Sequence, residues 1–210
     1  MSERTPRMRL RTEERQEEIV RVAVELAADK GVASVTTQDM ADAMQVTQGA
    51  IFRHFASKDD IWYAVIVWVR ERLLAVLEKA AAGGGDPLDT VQRMFTAHIG
   101  FIAQHPAIPR LLFSELLHKK GGRFQELIVG LISGYEARIA ALLELARAQG
   151  LVRAELDCAH AAVLYIGMVQ GLVLRANVLG SEQALLATAQ ATFDVFAAGL
   201  RKGAASQGAV

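Results

Sequence analysis

Cysteine is nearly absent: Cys158 is the single thiol in 210 residues. That excludes an internal disulfide framework and suits a reducing compartment. Proline is scarce too, with four residues, and aromatics make up 6% of a chain that is 52% hydrophobic. This balance fits helices rich in Ala, Leu and Val. No uninterrupted apolar run reaches the roughly 18 residues that a membrane span needs. The longest candidate, residues 159–174, is broken by Gln170. Arg and Glu populate the start and no apolar stretch follows, so no signal peptide is expected and the cytoplasm is the expected location. Charge of one sign is also missing, since the net charge is zero and the isoelectric point is about 7.0. A bulk polyanion binder is thereby disfavoured, whereas a reader with its positive charge on one face is not. The length allows one or two domains and a sizeable core.

What is present is concentrated in residues 36–58. Thr36 can N-cap a short helix by accepting from the backbone N–H of Asp39, and Asp39 can reach back in a capping box. Met40, Ala41 and Met44 fall on one face of that helix. After a tight turn, Thr47 can N-cap a second helix. Its inner face would hold Ile51, Phe52 and Phe55, leaving Gln48, Gly49 and Arg53 outside and His54 towards the end. Helices this short do not stand alone, so the polar outer face of the second one needs a reason. A helix-turn-helix supplies it, because the first residues of its second helix meet base edges in the major groove.

The strings TTQDMADAM at 36–44, VTQGAIFRHF at 46–55 and SKDD at 57–60 resemble the DNA-binding domain of the TetR family of bacterial transcriptional regulators. Two positions depart from the family pattern, which often has Gly where Gln45 stands and Tyr where Phe52 stands. The resemblance implies DNA contact by Thr37, Gln38, Thr47, Gln48, Gly49, Phe52, His54 and Lys58. Chemistry sorts these residues. Gln48 can pair bidentately with adenine, Gly49 allows close backbone approach, and Thr37, Thr47, His54 and Lys58 suit phosphate oxygens. Arg53 projects outward, within reach of phosphate or base. Phe52 lacks the hydroxyl of Tyr and is left with sugar, a thymine methyl or the core. His54 has a second reading as a half-buried packing residue. Gln45 is expected in a left-handed conformation. The arm carrying Arg4, Arg7, Arg9 and Arg11 reads either as a solvated tail or as a phosphate or minor-groove contact.

The remaining chain reads as helix throughout, giving an all-α fold with a helix-turn-helix domain over 12–58 and a ligand-binding and dimerisation domain over 59–202. Residues 1–11 and 203–210 read as flexible tails. A first helix is predicted over 12–30, with Ile19, Val22, Ala23, Leu26 and Ala27 facing inward. Ser57 caps a long helix to about residue 82 that carries Ile61, Val65, Trp68, Leu73, Val76 and Leu77. Further helices are predicted over 89–104, 111–118, 124–149, 158–179 and from 181 to about 200. The last two are apolar around much of their circumference, and Gly167 and Gly171 would admit another helix closely. Such helices are buried twice, against their own core and against a partner. A homodimer through these two helices is expected, as in the family, and its two-fold symmetry asks for a pseudo-palindromic double-stranded DNA operator.

The resemblance also implies a small-molecule effector, a hydrophobic or aromatic one being the mild preference. Lining candidates are Phe95, His98, Phe101, Phe113, Tyr135, Tyr165, Met168 and Gln170, although apolar walls with a few polar groups also describe an ordinary helical core. No cofactor is implied. An enzyme is the competing class. Glu115 with His118 and Asp157 with His160 resemble carboxylate–histidine pairs of di-iron bundles, but the two further glutamates are missing, and Asp157 is better explained as an N-cap. Cys158 with His160 lacks a third metal ligand. The sequence therefore reads as a DNA-binding regulator, most simply a repressor released by its effector, with a metal-responsive regulator or a helical-bundle metalloenzyme as the alternative.

Overall fold

A computed structural model describes residues 12–109, 111–112, 122–180 and 182–201. The elements are α1 (Thr12–Lys30), α2 (Thr37–Ala43), α3 (Gln48–Phe52), α4 (Lys58–Ala81), α5 (Pro87–Gln104), α6 (Arg123–Ala148), α7 (Cys158–Leu179) and α8 (Glu182–Leu200), with a 3-10 turn over Val32–Ser34. No strand occurs among the described residues. The Arg-rich arm, Phe113, Glu115, His118 and the tail beyond residue 201 lie outside them.

The chain divides into two compact units, residues 1–69 and 70–210. In the first, α1 packs on α2, and α2 on α3. Ile19, Ala23, Val35, Met40, Ala41, Ile51 and Ile61 form its buried centre. The inward stripe of α1 is shifted from the expected one: Val20 is buried, whereas Val22 and Leu26 are only half-buried. On α4 the buried tryptophan is Trp62, and Trp68 and Val76 are half-buried. Ser57 begins α4 by accepting from Asp60 N–H at 3.1 Å.

In the second unit α5, α6, α7 and α8 pack together. Helix α5 starts at Pro87, two residues before the expected Asp89, because Asp86 is the N-cap and accepts from Asp89 N–H at 2.8 Å. Proline suits the first helical position, where its missing N–H would be unpaired anyway. Asp157 caps α7 through His160 N–H at 3.0 Å, and Gly180 closes it at φ 63°. By length and composition α7 could cross a membrane. However, Ala162, Tyr165 and Val169 on one of its faces are buried within this unit, as in a core helix.

Candidate nucleic-acid interface

Local bonds build the helix pair. The capping box at the start of α2 is complete, with Asp39 N–H donating to Thr36 Oγ1 at 3.1 Å and Thr36 N–H donating to Asp39 Oδ2 at 2.7 Å. Lys30 of α1 adds an ion pair to Asp39 at 2.7 Å. Hydrogen bonds from Lys30 and then Thr36 hold the Asp39 carboxyl well below the usual carboxylate range. Its anionic form is therefore secured at the positive end of α2.

The turn is a Schellman closure. Val46 N–H donates to Ala41 O at 2.9 Å and Gln45 N–H to Asp42 O at 3.0 Å, the two bonds of that motif. Gln45 takes φ 54° and is the sole non-glycine residue with positive φ among the described residues. Gly150 closes α6 with the same pair of bonds at φ 70°. A side chain in this region costs roughly 1–2 kcal/mol, partly offset because glycine loses more freedom on folding. Gln45→Gly is expected to be neutral or up to about 1 kcal/mol stabilising, read by chemical denaturation. A clear loss of stability would mean that the glutamine side chain holds the turn.

Thr47 then caps α3 by accepting from Ala50 N–H at 3.3 Å. Gln38, Thr47, Gln48, Gly49, Phe52 and Arg53 are exposed, while His54 and Lys58 are half-buried. Phe52 corrects the expectation of an inner face: it is 45% exposed, whereas Ile51 and Phe55 are buried. Ile51 and Phe52 sit about 100° apart around the helix, so the face packed on α2 takes Ile51 and Phe52 is turned out. Among the described residues a Cβ added at Gly49 would meet only Thr47 Oγ1, at 3.9 Å, so none of them requires a glycine there. Gln16 of α1 donates to the His54 carbonyl at 3.0 Å, tying the end of α3 to α1. His54 Nδ1 is shielded and has no hydrogen-bond partner.

Thr37 does not present its hydroxyl to solvent as a phosphate contact requires. It is buried, and its Oγ1 accepts from Gln48 Nε2 at 2.7 Å, joining α2 to α3. Gln38 donates to Asp42 at 2.7 Å along α2.

The second cluster of sequence candidates meets in the core of the other unit. Tyr135 of α6 and Tyr165 of α7 share a hydroxyl–hydroxyl hydrogen bond of 2.8 Å, fully buried. Phe95 of α5 and Phe196 of α8 lie edge-on to Tyr165, with ring centroids 5.8 and 6.0 Å away. Phe193 packs on both phenylalanines. From sequence, Phe193 and Phe196 belong simply to an apolar helix, and nothing local marks them as part of this centre. His98 lies 5.5 Å from the Tyr135 ring, and its shielded Nδ1 has no partner. Burial pushes His98 down to about 4 and pushes both tyrosine hydroxyls up. Phe101 is buried and contacts His105, and Met168 is half-buried. Gln170 is exposed and does not join this centre, because five residues along α7 from Tyr165 the helix has turned it away.

The tyrosine pair sets up a clear asymmetry. Tyr165→Phe leaves the buried Tyr135 hydroxyl without its partner and is expected to cost about 1–3 kcal/mol. Replacing both tyrosines by phenylalanine should recover part of that loss, since no orphan remains. Equal or greater destabilisation in the double variant would sink the argument.

The carboxylate–histidine pair at 157 and 160 is explained by capping: His160 Nδ1 lies 2.7 Å from Asp157 Oδ2 on the surface. Cys158 is buried beside it, its thiol pushed up by burial. Among the described residues no three His, Cys, Asp or Glu side chains gather as metal ligands. The metal-responsive alternative has no support here.

Residues 19–65 match the family model described as "Bacterial regulatory proteins, tetR family", and residues 116–192 match "Tetracyclin repressor-like, C-terminal domain". The chain is 28% identical over 180 residues to the probable acrEF/envCD operon repressor of Escherichia coli, covering 82% of this chain and 79% of that protein. It is 24% identical over 135 residues to the nucleoid occlusion factor SlmA of Actinobacillus pleuropneumoniae, covering 64% of this chain and 67% of that one. Among solved structures, FadR of Bacillus subtilis in complex with stearoyl-CoA superposes with a TM-score of 0.72 at 17% identity, covering 88% of this chain and 99% of that one.

Proposed function

This chain belongs to the TetR family of bacterial regulatory proteins, and from that premise we propose that it is a homodimeric, cytoplasmic repressor released from a two-fold operator by a hydrophobic small molecule. The family and fold are those of DNA-binding transcription regulators. The observation that carries the reading is the capped helix pair, which holds Gln48, Gly49, Phe52 and Arg53 outward on a Schellman turn. Gln48 is assigned to base edges, Thr47, Arg53, His54 and Lys58 to the phosphate backbone, and Gly49 to close approach. Exposed Phe52 is assigned to sugar or a thymine methyl, and Gln38 to the backbone at the start of α2. Thr37 is assigned no phosphate contact.

The dimer is assigned to the exposed apolar faces of α7 and α8. Val163, Leu164, Leu174, Val178, Leu186 and Val195 stand open to solvent there, more apolar surface than two helices of a lone subunit leave bare. The effector is assigned to the aromatic centre around Tyr165. Two hydroxyls carry two protons and their mutual bond uses one, so the pair and His98 Nδ1 retain capacity for a polar group on an otherwise apolar ligand. FadR, whose structure holds stearoyl-CoA, supports an effector with a long apolar portion. By binding one conformation better, the effector would favour dimers whose recognition helices no longer match successive major grooves.

The test is selection of duplexes from a random pool by the purified protein, followed by titration at two salt concentrations against scrambled competitor. Saturable binding to a two-fold site that survives competitor is expected. Weak binding that vanishes with modest salt would reduce the protein to nonspecific phosphate contact and overturn the reading.

A further inference from the structure

The bond between Gln48 and Thr37 spans eleven residues of sequence and joins the two helices of the motif at their exposed edge. Among the described residues Thr37 and Thr90 are the buried threonines, and Thr90 Oγ1 serves its own helix by donating to the Asp86 carbonyl at 3.0 Å. Thr37 instead serves a side chain on another helix. A carboxamide has two N–H donors and one carbonyl acceptor. With one N–H spent on Thr37 Oγ1 at 2.7 Å, the carbonyl and the second N–H are left for another partner. That pair matches adenine, which offers N7 as acceptor and the N6 amino group as donor. Guanine offers two acceptors, N7 and O6, and would set O6 against the carboxamide oxygen.

We propose that Thr37 is a positioning residue for base reading: its buried hydroxyl tethers the Gln48 carboxamide in a pose that pairs with adenine and so sharpens the preference for adenine over guanine at one operator position. The inference rests on the assignment of Gln48 to a base edge. Thr37 touches no DNA in this role. Without the anchor the Gln48 side chain is free to sample its other rotamers, and that freedom must be given up at each binding event.

The experiment measures affinities of Thr37→Val, Thr37→Ser and Gln48→Ala for the selected operator and for all its single-base variants. Gln48→Ala should level the preference at one position, where a bidentate pair supports discrimination of about 10- to 100-fold. At that position Thr37→Val should lower the adenine-to-guanine ratio at least about threefold, part of the discrimination a bidentate pair supports, while other positions keep theirs. Thr37→Ser, which retains the hydroxyl, should restore the ratio and serves as the second variant should the valine change fold poorly. A full ratio in Thr37→Val overturns the proposal. So does an equal loss on every duplex, the signature of a phosphate contact or a merely structural role. If Gln48→Ala levels no position, the base-edge assignment itself fails, and that result is distinct from Gln48→Ala levelling a position that Thr37→Val leaves intact.

Discussion

Acidification from pH 6.5 towards pH 4 is expected to remove up to about 3 kcal/mol of folding stability through one side chain, His98. Burial pushes that imidazole down to about 4 in the folded chain, against about 6.5 when unfolded. The folded state therefore holds the ring neutral where the unfolded state has already taken up a proton. Such a group contributes its stability above pH 6.5 and loses it as the pH falls through the folded value. Among the described residues no neighbour rescues the charged form. The ring packs against Tyr135, whose hydroxyl stays neutral because burial pushes it up, and His98 Nδ1 has no acceptor. Part of the residue's surface remains in contact with solvent, so the figure is an upper bound. Denaturant unfolding of the full chain at pH 7.5, 6.5, 5.5 and 4.5, compared with His98→Phe, isolates the effect. His105 is also lowered, by burial and by Arg72, but it is common to both proteins and cancels in the difference. The variant should lose distinctly less stability on acidification. Parallel curves for the two proteins would show that His98 reaches water or a partner in solution.

How much of this was legible in the chain follows from distance along it. The limits of α1 and α7, the Thr36 capping box and the left-handed Gln45 were all readable, because each is decided by residues within one turn. Caps and chain-reversal bonds are local chemistry. The start of α5 is also local, since Asp86 and Pro87 together are a helix-start signal. Long-range facts were not readable. Periodicity alone cannot show that Phe52 turns outward while Ile51 turns in, since the packing of α3 on α2 decides it. The Thr37–Gln48 bond crosses eleven residues and the Tyr135–Tyr165 bond thirty. In both cases the residues were legible, Thr37 and Gln48 with separate tasks and the two tyrosines together as lining candidates, but the bonds between them were not, because a sequence carries no distances.

A carboxylate on the exposed face of α7 or α8 is expected to separate the protein into monomers and to abolish tight operator binding. Leu164 is 61% exposed on α7 and Val195 is 75% exposed on α8. Between them, Cβ atoms added at Gly167 or Gly171 would meet nothing within 4 Å in their own chain, so internal packing gives no reason for glycine there, whereas close approach of another helix does. In a two-fold interface every substitution occurs twice. Losing the burial of one leucine-sized side chain removes about 1.5–3 kcal/mol, and a carboxylate taken from water adds a further penalty. Two copies exceed about 4 kcal/mol, a rise in dimer Kd of about a thousandfold or more. Leu164→Glu and Val195→Glu are therefore expected to sediment as monomers at micromolar concentration. Each monomer retains its own α1–α3 unit but engages one half-site, and without its partner it should bind the full operator at least about a hundredfold more weakly, since specific over nonspecific affinity spans about 10³ to 10⁷ and rests on both halves. Leu145→Glu is the control, at a position 54% exposed on α6 and outside both helices, and should leave mass and operator affinity unchanged. Dimeric mass in both α7 and α8 variants would place the subunit contact elsewhere. Monomeric mass with undiminished operator affinity would instead detach DNA binding from two-fold symmetry altogether.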